Sequence, residues 1–197
     1  MIRLLLILSC FFIASCASTN MKTYVDPEHI GKQYSKIIVD VPNANFEFKG
    51  LVIGKVCSGL QSKGVECIAK DDFLPPTREY SDEALFELLA KNNIEGWLII
   101  SIGSGSTNSQ CMGNQTFGSA TAYGNTMYGN TNSVAIYSIN RHQSYSITMY
   151  DMLTKQKSFV MEASTSAQGM LNTTDAVFAG SLAEKILHEM AVKKIIK

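Results

Sequence analysis

Charge of either sign is in short supply. Seventeen basic side chains balance seventeen acidic ones, and charged residues make up only 17% of the chain. Nucleic-acid binding needs a clustered basic face, so this balance argues against such a partner. Histidine is scarce too: His29, His142 and His188 stand far apart in the sequence. There is no Gly-x-Ser-x-Gly elbow, HExxH pair, P-loop or dinucleotide glycine fingerprint. "GSGSTNS" from Gly103 shares only its glycines with a phosphate loop, since no Lys-Ser/Thr end and no helix pattern follow it. The five cysteines include no CxxC pair and no histidine at ligand spacing, which argues against a metal site. No catalytic residue, metal or cofactor is therefore assigned. Beyond the first fifteen residues, no apolar run approaches the roughly 20 residues of a membrane helix.

What the chain does have begins at its front. Arg3 precedes an apolar run from Leu4 to Ala14 that ends in small residues, the layout of a secretory signal over residues 1–15. The stretch "IASC" resembles the bacterial lipobox, which implies cleavage before Cys16 and a lipid on that cysteine. Cys10 fits the pattern less well, because it lies inside the apolar run. Ala17 after the cysteine implies, by the sorting rule of Gram-negative lipoproteins, an outer-membrane anchor; the periplasm-facing leaflet is favoured over surface exposure. Cleavage removes only Arg3 among the charged residues, leaving 17 − 1 = 16 basic against 17 acidic groups. Residues 16–34 are then expected to be the lipidated cysteine and a polar tether; as flexible coil, the segment from Ala17 to Gln33 would reach roughly 20 to 25 Å.

An exported domain meets an oxidising compartment, so Cys57 and Cys67 could form a bridge between a helix and the next strand. Two buried, unpaired thiols are the equally weighted alternative. Cys111 is left over.

Residues 35–197 read as one domain. "SKIIVDVP" is a buried strand closed by Pro42. Phe48, Val52, Val56 and Leu60 recur every fourth residue, the face of a helix over 46–62, with Gly64 as its left-handed cap. Gly50, Gly54 and Ser58 on that helix suggest close packing of its backbone against a sheet. "VECIAK" is a second strand, and the loop through "DDFLPPTREY", with Asp71 and Asp72 in solvent, is held extended by Pro75 and Pro76. Ser81 caps a helix buried through Leu85, Leu88 and Leu89. "WLIISI" has no polar face and should be a central strand.

A polar Gly/Asn-rich insert follows, 103–133. It repeats Tyr-Gly-Asn-Thr, and Gly124-Asn125 and Gly129-Asn130 are expected to make two successive reversals. Tyr123, Tyr128, Asn125 and Asn130 form the candidate interaction surface, provided the tyrosines point outward together. "SVAIYSI" and "SYSITMY" read as strands, and "KSFVMEAST" returns as partner after the turn "DMLTKQ". A long helix near the end buries Phe178, Leu182, Ile186 and Met190. The sum is an α+β domain, a mixed sheet with an antiparallel meander and helices packed on it.

These segments together resemble a family of small, mostly uncharacterised Gram-negative outer-membrane lipoproteins. The arrangement is similar to the periplasmic domains of the penicillin-binding-protein activator lipoproteins, the curli secretion lipoprotein and the amino-terminal domain of the Tol-system β-propeller protein. The "YDMLTK" turn carries the likeness, whereas Phe159 stands where many relatives have tryptophan. No membrane-strand alternation spans the insert, so a pore is not expected. The resemblance implies a non-enzymatic lipoprotein, held to the membrane through Cys16, that binds another envelope protein or itself. A glycan-binding module or envelope hydrolase is the alternative, with Tyr123 and Tyr128 stacking on sugar.

Overall fold

A computed structural model describes residues 17–196; the signal and Cys16 lie outside the described residues. Six strands form one mixed sheet: β1 (Ser18–Val25), β2 (Lys36–Asp40), β3 (Glu66–Ala69), β4 (Gly96–Tyr123), β5 (Thr126–Asp151) and β6 (Lys157–Gln168). Four helices pack on it: α1 (Phe46–Ser62), α2 (Lys70–Phe73), α3 (Asp82–Lys91) and α4 (Asp175–Val192). The sheet order is β1-β6-β5-β4-β2-β3. β2 runs parallel to both β3 and β4, while β4, β5, β6 and β1 are antiparallel in turn. The expected α+β class is what is found.

Amphipathic spacing builds the helices. Phe48, Val52, Val56 and Leu60 of α1 meet Phe178, Leu182, Ile186 and Met190 of α4 in the main core, over Ile37 and Val39 of β2 and Tyr145, Ile147 and Met149 of β5. Asn45 starts α1 by accepting the Phe48 N–H at 2.8 Å, and Gly64 ends it at φ +76, where a β-carbon would be strained. Gly50 and Gly54 face open space, contrary to the packing expected of them; a β-carbon at Gly59 is the one that would collide, with Leu187 of α4. On the opposite face, α3 buries Leu85 and Leu89 over Ile38. Its cap, Ser81 Oγ, accepts the Ala84 N–H at 3.3 Å.

Three expectations are corrected. The supposed tether from Ala17 is folded, because Ser18–Val25 is the edge strand β1, paired along its whole length with β6. Its inward residues are Thr19, Met21, Thr23 and Val25, and the threonines satisfy themselves by hydrogen bonding: Thr19 Oγ1 to Thr165 and Ser181 at 2.7 Å each, and Thr23 Oγ1 to Glu189 at 3.0 Å. A strand whose inward face mixes hydroxyls with Met21 and Val25 leaves only a weak hydropathy alternation. His29, placed in the tether, is 5% exposed.

The insert is likewise not an irregular connection. It is the distal part of β4 and β5, and "SVAIYSI" and "SYSITMY" are one strand. Third, the loop after β3 contains the one-turn helix α2, and Asp71 in it pairs with Lys49 at 2.6 Å.

Cys57 of α1 and Cys67 of β3 are joined by a disulfide, with Cα atoms 5.1 Å apart. Closing so short a loop should contribute about 2 to 3 kcal/mol. Cys57→Ala with Cys67→Ala is expected to lower unfolding free energy by that amount in denaturant titrations, and reductant should do the same to the wild type alone.

Candidate interaction surface on the β4–β5 ribbon

β4 is 28 residues long and β5 is 26, far beyond ordinary strands of five or six residues or so. β2 accompanies β4 only as far as Ile99, opposite Asp40. β6 accompanies β5 only from Asn140, opposite Gln168. Beyond those points the two strands run on as a ribbon. Asn140 lies opposite Asn108, so about 15 residues of each strand, at ~3.3 Å each, put the tip roughly 50 Å from the sheet.

The ribbon turns at one place. Tyr123 pairs with Thr126, leaving the two-residue loop Gly124-Asn125 with Gly124 at φ +59, the glycine-first arrangement of a type II′ hairpin. Gly129-Asn130 makes no second reversal, since Gly129 lies opposite Ala120 and Asn130 opposite Ser119 within the ladder. Register shifts at 102/105 and 111/113 bend the ribbon, as extra residues in one strand do.

Opposed residues of an antiparallel ladder project to the same side. Tyr128 lies opposite Thr121, two residues from Tyr123, so the tyrosines share one face as diagonal neighbours. They are 79% and 69% exposed. Asn130 is on that face and Asn125 occupies the tip. The same register adds Phe117, Val134 and Ile136, all exposed, which the sequence reading missed. Their period of two along β5, from Tyr128 through Val134 to Ile136, was interrupted by Asn130 and Asn132 and so did not stand out. From Gly96 to Asn140 the chain contains no Asp, Glu, Lys, Arg, His or Pro. Cys111, an exposed free thiol, also sits on the ribbon.

The base is clamped. Arg141 binds Asp175 at 2.6 Å and the Thr173 carbonyl at 2.9 Å, and stacks over the Phe178 ring at 4.4 Å. Asn43 grips Ile102 from the other strand, donating to its carbonyl at 2.7 Å and accepting its N–H at 2.9 Å. Side-chain amides and hydroxyls tie the two strands here as well: Gln143 donates to the Gly103 carbonyl at 2.9 Å and Ser144 to that of Ser104 at 2.8 Å.

At the other end of β5 lies a second polar cluster. Asp151 is fully buried, with Oδ1 accepting the N–H groups of Leu153 and Thr154 at 2.9 Å each. Its Oδ2 accepts from Tyr34 at 2.9 Å and pairs with Lys32. His29 is held between Asp26 at 3.5 Å and Thr154 Oγ1 at 3.2 Å. This Asp-His-hydroxyl alignment resembles a nucleophile with its base, but the Thr154 hydroxyl also contacts Asp151 at 3.3 Å and Gln156 N at 3.4 Å. It closes the β5–β6 turn onto the segment after β1. Among the described residues, no three His, Cys, Asp or Glu side chains converge as metal ligands.

Burial alone would raise the Asp151 carboxyl, but the bonds from Lys32, the Thr154 N–H and Tyr34 outweigh it and bring the group from 3.8 to about 2. Because the folded value is depressed, its contribution is present above about pH 4 and is lost as pH falls through about 2, a loss of about 2 kcal/mol. Chemical unfolding at pH 6 and pH 2 should show it. Asp151→Asn should be less stable at pH 6 and should show a shallower decline with acid.

No protein-family model matches the chain, and no curated protein matches it either. Among solved structures, the chain is similar to a PelC dodecamer from Paraburkholderia phytofirmans, with TM-score 0.48 and 11% identity over 86% of this chain and 94% of that one. A variant of that dodecamer in another crystal form gives TM-score 0.49 and 9% identity over 90% and 99%. The chain is also similar to lipoprotein GNA1162 from Neisseria meningitidis, with TM-score 0.43 and 11% identity over 80% and 99%.

Proposed function

We propose that this chain is an outer-membrane lipoprotein, anchored through Cys16 and facing the periplasm, that works without catalysis by associating with another envelope protein or with itself. The observation that carries the reading is the ribbon. Its length, open edges and exposed apolar side chains give it no role in holding the core. A two-stranded hairpin standing alone is marginal in water, so a chain that extends one this far gains most when something lies against it. The absence of charge suits a contact that is buried on assembly, because each ionised group taken out of water must be compensated.

The anchor rests on the signal and the "IASC" stretch. Palmitate labelling of the wild type, lost in Cys16→Ser, is the expected result.

Association is tested by cutting the ribbon back to Thr107 and Arg141, which are paired at its base, and closing it with Asn-Gly. In intact cells, a crosslinker should trap specific adducts of the wild type. The shortened chain should lose them while keeping its melting temperature within a few degrees. Retention of the same adducts would overturn the reading. The two outward tyrosines flanked by Asn130 support one competing reading, a glycan platform. Retention on peptidoglycan that Tyr123→Ala and Tyr128→Ala abolish, with adducts unchanged, would favour it.

A further inference from the structure

The ribbon's open edges can be assigned atom by atom. In a two-residue hairpin the pair flanking the turn exchanges both of its backbone hydrogen bonds, and bonded and non-bonded pairs then alternate back along the ladder. Tyr123 and Thr126 are that flanking pair. Counting back, Thr121/Tyr128, Ser119/Asn130 and Phe117/Asn132 are bonded pairs, whereas Ala120/Gly129, Gly118/Thr131 and Thr116/Ser133 are not. The N–H and C=O groups of Thr116, Gly118 and Ala120 therefore point out from the β4 edge. Those of Gly129, Thr131 and Ser133 point out from the β5 edge.

Natural sheets guard such edges with lysine, proline, inward charges or a covering segment. None of these residue types occurs between Gly96 and Asn140. A bulge is present at 111/113, but it lies nearer the base, and the register is unbroken from Gly113 to the tip.

The end of the sheet from which the ribbon leaves fixes how copies would meet. Ser18 lies opposite Ser166, and Ser166 lies opposite His142 at the ribbon's base. Ala17 is 9% exposed, and its carbonyl accepts from Ser181 of α4 at 3.0 Å. The amino-terminal end and the ribbon thus emerge from the same end of the sheet. Chains anchored in one membrane through Cys16 would present their ribbons in the same direction. In that orientation the β4 edge of one ribbon and the β5 edge of its neighbour are antiparallel, the relation that already joins the two strands within each chain. An identical copy also brings identical charge, and like charges set opposite each other destabilise a ladder; a ribbon with none is compatible with itself.

We propose that copies of this chain join by adding the open β4 edge of one ribbon to the open β5 edge of the next, in a head-to-tail oligomer held by main-chain hydrogen bonds. The inference rests on the reading of the ribbon as the association element. Each copy carries one edge of each kind, so the contact is heterologous, and it closes into a ring where the rotation per copy allows. The neighbouring strands would sit about 4.8 Å apart, as in any sheet.

The full-length lipidated protein in detergent provides the test. Thr131→Pro removes an outward donor from the β5 edge, and Thr116→Pro removes one from the β4 edge; proline is tolerated where the N–H points away from the ladder. Thr131→Lys and Thr116→Lys place a charge on the same edges and serve where proline disturbs folding, as judged by melting temperature. The wild type should run as a discrete multimer by native mass spectrometry, and each single variant should be monomeric at the same concentration. A mixture of Thr131→Pro and Thr116→Pro should form one-to-one pairs and nothing larger, because each retains the edge the other lacks.

Variants that assemble like the wild type would overturn edge pairing. So would a wild type that is monomeric, including one whose ribbon tyrosines are shielded by lipid. If shortening the ribbon abolishes the cellular adducts while the edge variants keep them, edge pairing fails and the association reading stands. If shortening leaves the adducts in place, both fail.

Discussion

Burial of Tyr145, Ile147 and Met149 is the constraint on which the rest of the molecule depends. These alternate residues of β5 lie beneath α1 and α4, and sliding the strand by one residue would turn all of them out to solvent. Because β5 is a single continuous strand, the register fixed in the core is carried outward, through the bends, to the ribbon. The core thereby influences which side chains share a face some tens of ångströms away from it. The diagonal placing of Tyr123 and Tyr128 follows from this together with the glycine-led turn at Gly124.

Two polar clamps stand at the two ends of the core half of β5. Arg141 secures the end from which the ribbon departs, joining it to the first turn of α4 by an ion pair, a carbonyl bond and a ring contact. Asp151 secures the other end and gathers Lys32, Tyr34 and the backbone of the β5–β6 turn. Between them the strand is held by its ladders to β4 and β6 and by the apolar packing of its inward face. Tyr34 is part of the second clamp, and burial, more than the neighbouring carboxylate, pushes its phenol upward and keeps it a donor.

The parts legible from sequence were those whose burial follows one period. α1 was readable from Phe48, Val52, Val56 and Leu60, and α4 from Phe178, Leu182, Ile186 and Met190. The central position of "WLIISI" followed from its lack of a polar face. For Cys57 and Cys67 two states were open, and tertiary contact between a helix and a strand decides between them, which local pattern does not report. β1 was illegible because Thr19 and Thr23 bury hydroxyls that find partners only in the folded molecule. The ribbon was illegible as structure for the opposite reason. Water wets both its faces, so no hydropathy period marks it, and its strand character lies in pairing. Of the candidate residues, Tyr123, Tyr128 and Asn130 share one face of the ribbon with Phe117, Val134 and Ile136, while Asn125 stands apart at the turn.

In a chain anchored as proposed, the docking of Ala17 against α4 would also limit how far the molecule can act. A lipid on Cys16 would be separated from the folded domain by a single peptide unit, so the domain could neither swing on a leash nor sample the depth of the periplasm. Its working range would be that of a rigid body, with the ribbon leaving from the same end of the sheet as the anchored terminus.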